Sequence, residues 1–403
     1  MVRPLFRSLL CTATVALLIS SAATASTCAD YQSARTEWLT NMNTYGRQWG
    51  DYLNPASGRS NDQLLEAVYY DGEWVFSQIA AQLKQTAPWD TYTTWARQAY
   101  VDKYLVPNGY KAAGYRRFSH GMYTTFKNGG PITLAQLTLV RDNPAFSRLA
   151  EYQNEYAGTL ESISRELAYA IQANINAEKA GAPRAVENGR ARVEVMVGWM
   201  DEHFKQWQTG TYLAADPAPR FAPFMAALSA HALIEFVEWE EANGRDPNRV
   251  WPGTYAPTIE ASLKKLYTWM RDQSTVRTGV GAGQRMYVVQ NGLHALRYQD
   301  VGASSDDVQP AYDLGGLLAY SYAWIGQRYA AGNAAERAEA QKLMETADEL
   351  FVGNVRNGYI VGMAKLFNQS YRLSFLYTSL SDKSGMGLCH SVRPDAPTNV
   401  SAS

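Results

Sequence analysis

Apolar residues recur at spacings of three and four along almost the whole chain, and that period belongs to helices rather than strands. It predicts helices over about 31–48, 62–84, 89–104, 115–127, 133–149, 157–180, 184–207, 221–242, 257–272, 311–331, 336–353 and 366–381. Breakers such as NPASG (54–58), VPNG (106–109), NGGP (128–131), AGAP (180–183) and DPAP (216–219) separate them. The segments alternate in character. FMAALSAHALIEFVEW and LGGLLAYSYAWIG are apolar or small on every side, which predicts burial all round. AAERAEAQKLMETADELF carries a charged face and one apolar stripe, which predicts an outer helix. Six outer helices alternating with six inner ones make an all-α fold, an (α/α)6 toroid. An α-solenoid would stack helix pairs too, but it shows self-similarity at a fixed period and this chain does not.

One stretch breaks the helical rhythm. RMYVVQNGLHALRYQD places Asn291-Gly292 between two mixed runs, the signal of a tight hairpin near 285–298, either a lip over a cleft or a surface excursion.

The ends read differently from the middle. Basic Arg3 and Arg7, the apolar run Leu9 to Ser20 and the small-residue exit Ala23-Thr24-Ala25 form a secretory signal over 1–25. That run is well short of the ~20 residues a membrane helix needs, so an exported protein with no membrane partner is expected. The toroid would occupy 26–388 and a linker or tail 389–403. The end of that tail, APTNVSAS, resembles the opening strand of a fibronectin type III module, which implies a downstream module absent from this chain. Cys28 and Cys389 lie at opposite ends of the mature chain. In an oxidising compartment they are expected to staple the termini, two free thiols being the alternative.

A formal net charge of -1 gives no basic surplus for a nucleic-acid partner. No HExxH helix, Walker loop, dinucleotide fingerprint or GxSxG elbow is present, so no metal and no cofactor is expected. What remains is polar residues on otherwise buried segments. On a helix over 62–84, Asp71 and Glu73 fall on opposite edges of the apolar stripe, so at most one faces a cleft. Arg165 with Tyr169, and Ser162 with Glu166, are four apart on one helix, as are His231 and Glu235 on another. Where inner helices begin, polar and aromatic residues gather: Tyr110, Tyr115, Arg116, Arg117, His120 and Tyr123 at one; Tyr212, Asp216 and Arg220 at a second; Tyr312 and Asp313 at a third; Lys365, Asn368, Gln369, Tyr371 and Arg372 at a fourth.

With this alternation and pooling, residues about 30–385 resemble the six-hairpin carbohydrate-active enzymes, a superfamily of glycoside hydrolases, polysaccharide lyases and epimerases. The resemblance implies a substrate cleft at the N-terminal end of the inner helices and a polysaccharide or oligosaccharide as partner. A hydrolase needs two carboxyl groups, for which Asp71, Glu166, Asp216 and Asp313 are the candidates. A lyase on a uronate polymer needs a Tyr or His with Arg, Asn or Gln, for which Tyr169, His120, Arg165, Asn368 and Arg372 serve. Tyr70, Tyr123, Arg220, Tyr312 and Gln369 complete the expected substrate contacts. Recurring acids favour the hydrolase; a non-catalytic glycan-binding protein is the third reading.

Overall fold

A computed structural model describes residues 26–143, 160–209, 221–251 and 253–390. The expected signal segment, Asp216, Arg220 and the tail from 391 on lie outside the described residues. The chain is predominantly helical: α1 (Cys28–Tyr52), α2 (Asn61–Ala67), α3 (Gly72–Leu83), α4 (Trp89–Arg97), α5 (His120–Lys127), α6 (Leu134–Arg141), α7 (Leu160–Lys179), α8 (Arg192–Thr209), α9 (Pro223–Ala242), α10 (Ile259–Asp272), α11 (Gly315–Tyr329), α12 (Ala334–Asn357), α13 (Ala364–Arg372) and α14 (Ser374–Ser384). Strands occur only as short pairs, β1 (Val186–Glu187) with β2 (Arg190–Ala191), β3 (Thr278–Gly279) with β6 (Val301–Gly302), and β4 (Tyr287–Gln290) with β5 (Leu293–Leu296).

The predicted division of labour among the helices is visible in their burial. On α1 the buried residues are Tyr31, Ala34, Trp38, Met42, Gly46, Trp49 and Gly50, a single stripe at helical spacing. In α11 every residue from Gly315 to Gly326 is buried, and in α9 nearly every residue from Pro223 to Val237. The buried helices pack in sequence: α3 against α5, α5 against α7, α7 against α9, α9 against α11, α11 against α13 and α14, and α13 back against α3. The more exposed helices lie against these, α4 on α3, α8 on α7, α10 and α12 on α11. Cys28 and Cys389 are joined by a disulfide with an S–S distance of 2.06 Å, as expected. No helix among the described residues is long and apolar enough to cross a membrane.

Two expected helices are corrected. The helix over 62–84 is broken, because Tyr70 and Asp71 both take left-handed backbone (φ 67° each) and the chain restarts as α3 at Gly72. Asp71 is therefore the cap of a helix and not a residue on its wall. The helix expected from 184 starts only at Arg192, because Asn188 and Gly189 (φ 53° and 78°) turn the chain into the β1–β2 hairpin. The hairpin expected near 285–298 is present as β4–β5, turning at Asn291 and Gly292 with φ of 54° and 75°.

Candidate functional site

The break before α3 sets the geometry of the interior. Asp71 accepts from Trp74 N at 3.3 Å through Oδ1, and from His120 N at 3.1 Å and Gly121 N at 3.2 Å through Oδ2. One buried carboxylate thus caps α3 and α5 together, where both helices present unsatisfied N–H groups and the positive ends of their dipoles. The two ends meet this closely because residue 121 is glycine: a Cβ there would lie 2.6 Å from Asp71 Oδ1 and 2.8 Å from Trp74 N.

Behind this cap lies an enclosed polar cluster. His120 Nε2 is 2.7 Å from Glu235 Oε1 on α9, and His231 Nε2, one turn before Glu235, is 3.6 Å from the same oxygen. Trp74 stacks on His120 (4.3 Å between centroids) and lies nearly parallel to His231. From α13, Arg372 donates to the Tyr169 hydroxyl and to Gln172 Oε1, each at 3.1 Å, and Gln172 Nε2 meets His231 Nδ1 at 2.8 Å. Tyr169 and Arg372 are each 1% exposed.

His120, His231 and Glu235 offer ligand atoms within 4.8 Å of one another, the spacing of a cation site. The hydrogen bonds say otherwise. Because Gln172 Oε1 receives Arg372, its amide NH₂ faces His231 Nδ1, which must accept. Burial pushes the His231 imidazole down to about 3, so the ring is neutral and carries its proton on Nε2, facing Glu235. A metal needs that nitrogen bare. Burial alone would raise the Glu235 carboxyl, but the two histidines hold it well below its ordinary value. His120 is hydrogen-bonded to Glu235, while His231 Nε2 faces the same oxygen from 3.6 Å, beyond hydrogen-bond distance.

Asp313 sits in a different setting. It lies in the single 3-10 turn (Tyr312–Leu314) that leads into α11, and it lines an open cleft of about 440 Å³ with Tyr312, Gln290, Asn291, Asn357 and Tyr359. Gln369 Nε2 donates to Asp313 Oδ2 at 2.8 Å and to its carbonyl at 3.0 Å. Burial raises the Asp313 carboxyl above its ordinary value, against the lowering effect of the Gln369 bond. Gln290 and Asn291 come from the β4–β5 hairpin, whose Gln290 carbonyl accepts from the Tyr312 hydroxyl at 3.3 Å. The hairpin therefore borders a cleft.

The other residues singled out in the sequence are distributed as follows. Asn368 donates to the carbonyls of Ala67 and Tyr69, both at 2.9 Å, so α13 clamps the α2–α3 junction with one residue, Asp313 with the next and Tyr169 with Arg372. Tyr70 is buried in the same junction, edge-on to Tyr69 at 4.8 Å. Arg165 pairs with its neighbour Glu166 at 2.7 Å and lies over the Tyr115 ring. Tyr123 is half-buried against the core. The sequence reading missed Trp74 and Gln172 in the enclosed cluster, and Gln290, Asn357 and Tyr359 in the open cleft. No family model matches the chain, and no curated protein and no solved structure matches it.

Proposed function

We propose that the protein is a secreted carbohydrate-active enzyme, built as an (α/α)6 toroid, that hydrolyses glycosidic bonds of a polysaccharide or oligosaccharide. The ring is supported by the successive packing of α3, α5, α7, α9, α11 and α13 and by the return of α13 to α3. The signal-like start and the disulfide support export to an oxidising compartment. The observation that carries the activity is Asp313: a carboxyl kept protonated to higher pH by burial, positioned by Gln369, and opening on a cleft bordered by tyrosines and side-chain amides. A raised carboxyl is the group that protonates a leaving glycosidic oxygen, and aromatic rings with amides are what a sugar's apolar faces and hydroxyls need. Asp313 would give its proton to the glycosidic oxygen as the C–O bond breaks, while a second carboxylate takes a proton from water. Of the other three carboxyl candidates singled out in the sequence, Asp71 is engaged by three backbone N–H groups and Glu166 by Arg165, while Asp216 lies outside the described residues.

One arrangement favours a lyase instead. Arg372 holds the Tyr169 hydroxyl, and two positive charges, Arg372 and Arg165, oppose the rise that burial imposes on that tyrosine. This would suit proton abstraction from a uronate, but a polymer would have to reach a hydroxyl that is almost fully enclosed. Incubation with neutral and uronate polysaccharides decides. Reducing ends without ultraviolet-absorbing product support hydrolysis. An unsaturated uronate product overturns it in favour of the lyase, and binding without product overturns both.

A further inference from the structure

A second cleft, of about 300 Å³, is lined by part of the same segment, 357–366, that contributes to the Asp313 cleft. Tyr359 and Leu366 line the Asp313 cleft, and Gly362 and Lys365 line the second. The floor of the second cleft is an aromatic corner, Trp49 edge-on to Tyr52 with centroids 5.7 Å apart. The Trp49 indole N–H donates to the Ile360 carbonyl at 3.0 Å, which fixes the ring to the shared segment. Arg59 stacks on Tyr52 with its guanidinium carbon 3.8 Å from the ring centroid, so that ring is held as well. Polar groups stand at the rim: Gln63, Glu66 and Lys365.

The shared segment is itself exposed and partly apolar. Tyr359 is 72% exposed, Val361 50% and Met363 46%. Its shape is constrained. Tyr359 has left-handed backbone (φ 54°), and a Cβ at position 362 would lie 2.3 Å from the Tyr359 ring, so glycine there lets the ring lie close over the segment. Three large apolar side chains thus face solvent within five residues of a segment that lines both clefts.

We propose that the Trp49–Tyr52 cleft is a distal sugar-binding subsite: a polysaccharide chain lying in the Asp313 cleft crosses the shared segment and packs a further ring on the aromatic corner, with Lys365 and Gln63 reaching its hydroxyls. This deepens the hydrolase reading and rests on it. The cleft is at the lower end of the volumes that hold small ligands, about 300–1,000 Å³, and combines an aromatic floor with a few polar rim groups, which is the chemistry of a sugar face and its edge.

The test is calorimetric titration of the full mature chain carrying Asp313→Asn, using cellohexaose, xylohexaose, mannohexaose and hexagalacturonate with the corresponding disaccharides. A hexasaccharide is expected to bind more tightly than its disaccharide. Adding Tyr52→Ala, or the rim variant Lys365→Ala, is expected to weaken the hexasaccharide roughly two- to tenfold, the range ring stacking supplies, and to leave the disaccharide unchanged. Hexasaccharide affinity unchanged in both variants overturns the subsite, as does the absence of binding by every hexasaccharide. Failure of the parent reading looks different: Asp313→Asn would then retain full polysaccharide cleavage, whatever Tyr52→Ala does to binding.

Discussion

The enclosed cluster behind Asp71 and the open cleft at Asp313 hold the same kinds of side chain, and they differ in what those side chains have left to offer. In the cluster, Asp71 is consumed by two helix N-termini, Glu235 by His120, and Arg372 by Tyr169 and Gln172. Burial there has been matched by internal partners, as it must be when polar groups leave water. At Asp313, Gln369 satisfies one oxygen while the cleft keeps the carboxyl in reach of a ligand. Perturbed titration alone does not separate the two, since both contain shifted groups; access does. Polar density inside a helical fold marks where helices are tied together as readily as where chemistry happens.

The sharpest way to break this comparison is to exchange the expected phenotypes. Asp313→Asn should cost about 10²–10⁴-fold in the rate of reducing-end release, the usual share of a general acid, with an unchanged melting temperature. Glu235→Ala should do the opposite. Removing the buried Glu235 carboxylate leaves His120 Nε2 without its hydrogen-bond partner, which should cost on the order of 1–3 kcal/mol of stability, read by denaturant unfolding, while molecules that remain folded keep their activity. If Glu235→Ala abolished turnover at full stability, the enclosed cluster would be the reacting centre and the lyase reading would gain.

A smaller effect separates two acids within the enclosed region. Burial pushes the Glu73 carboxyl up to about 8, although Thr125 donates to its Oε1 at 2.5 Å. Between its ordinary value of 4.5 and about 8 the folded chain holds a proton that the unfolded chain releases, so Glu73 makes stability fall as pH rises through that window. Glu235, held low, acts in the other sense: its contribution is present above the ordinary carboxylate range and is lost on acidification. Glu73→Gln should flatten the decline between about pH 5 and 8, an effect on the order of a few kcal/mol, in unfolding curves taken at several pH values. An unaltered pH slope would mean that Glu73 is not the group responsible.

How much of this was legible in the sequence depends on how local its cause is. Burial all round α9 and α11 followed from their composition, and the β4–β5 turn from Asn291-Gly292. The same dipeptide at Asn188-Gly189 was overlooked, because helical spacing in the residues after it hid a hairpin only two residues per strand. The break at Tyr70-Asp71 had a local signal in Asp71-Gly72, but the apolar spacing that runs across it masked that turn dipeptide. A tyrosine seldom takes positive φ, and here the conformation is held by contacts remote in sequence, Asn368 on the Tyr69 carbonyl and Asp71 on the N-terminus of α5. At the open cleft, Tyr312 and Asp313 were legible because they lead into a buried helix, and Gln369 because it is a polar residue on another. Asn357 ends α12, Tyr359 lies just beyond it, and Gln290 sits next to a hairpin turn, so nothing in a helical pattern assigns them to a common wall.

The finest test of the contrast addresses Gln369, which touches Asp313 and belongs to the same α13 turn as Arg372. If Asp313 acts as the acid, it must be protonated, so activity declines on the alkaline side as it ionises. The Gln369 hydrogen bond favours the ionised form and lowers the carboxyl, against burial, which raises it. Gln369→Met keeps the volume and removes the donor. The carboxyl should then rise and the alkaline limb of kcat/KM should move to higher pH, by about one pH unit or less, the shift that a single hydrogen bond's ~1 kcal/mol corresponds to. A purely structural Gln369 would lower activity equally at every pH and leave the limb in place. A limb that moves to lower pH would remove Asp313 from the acid's role, because losing a donor to a carboxylate cannot make it a stronger acid.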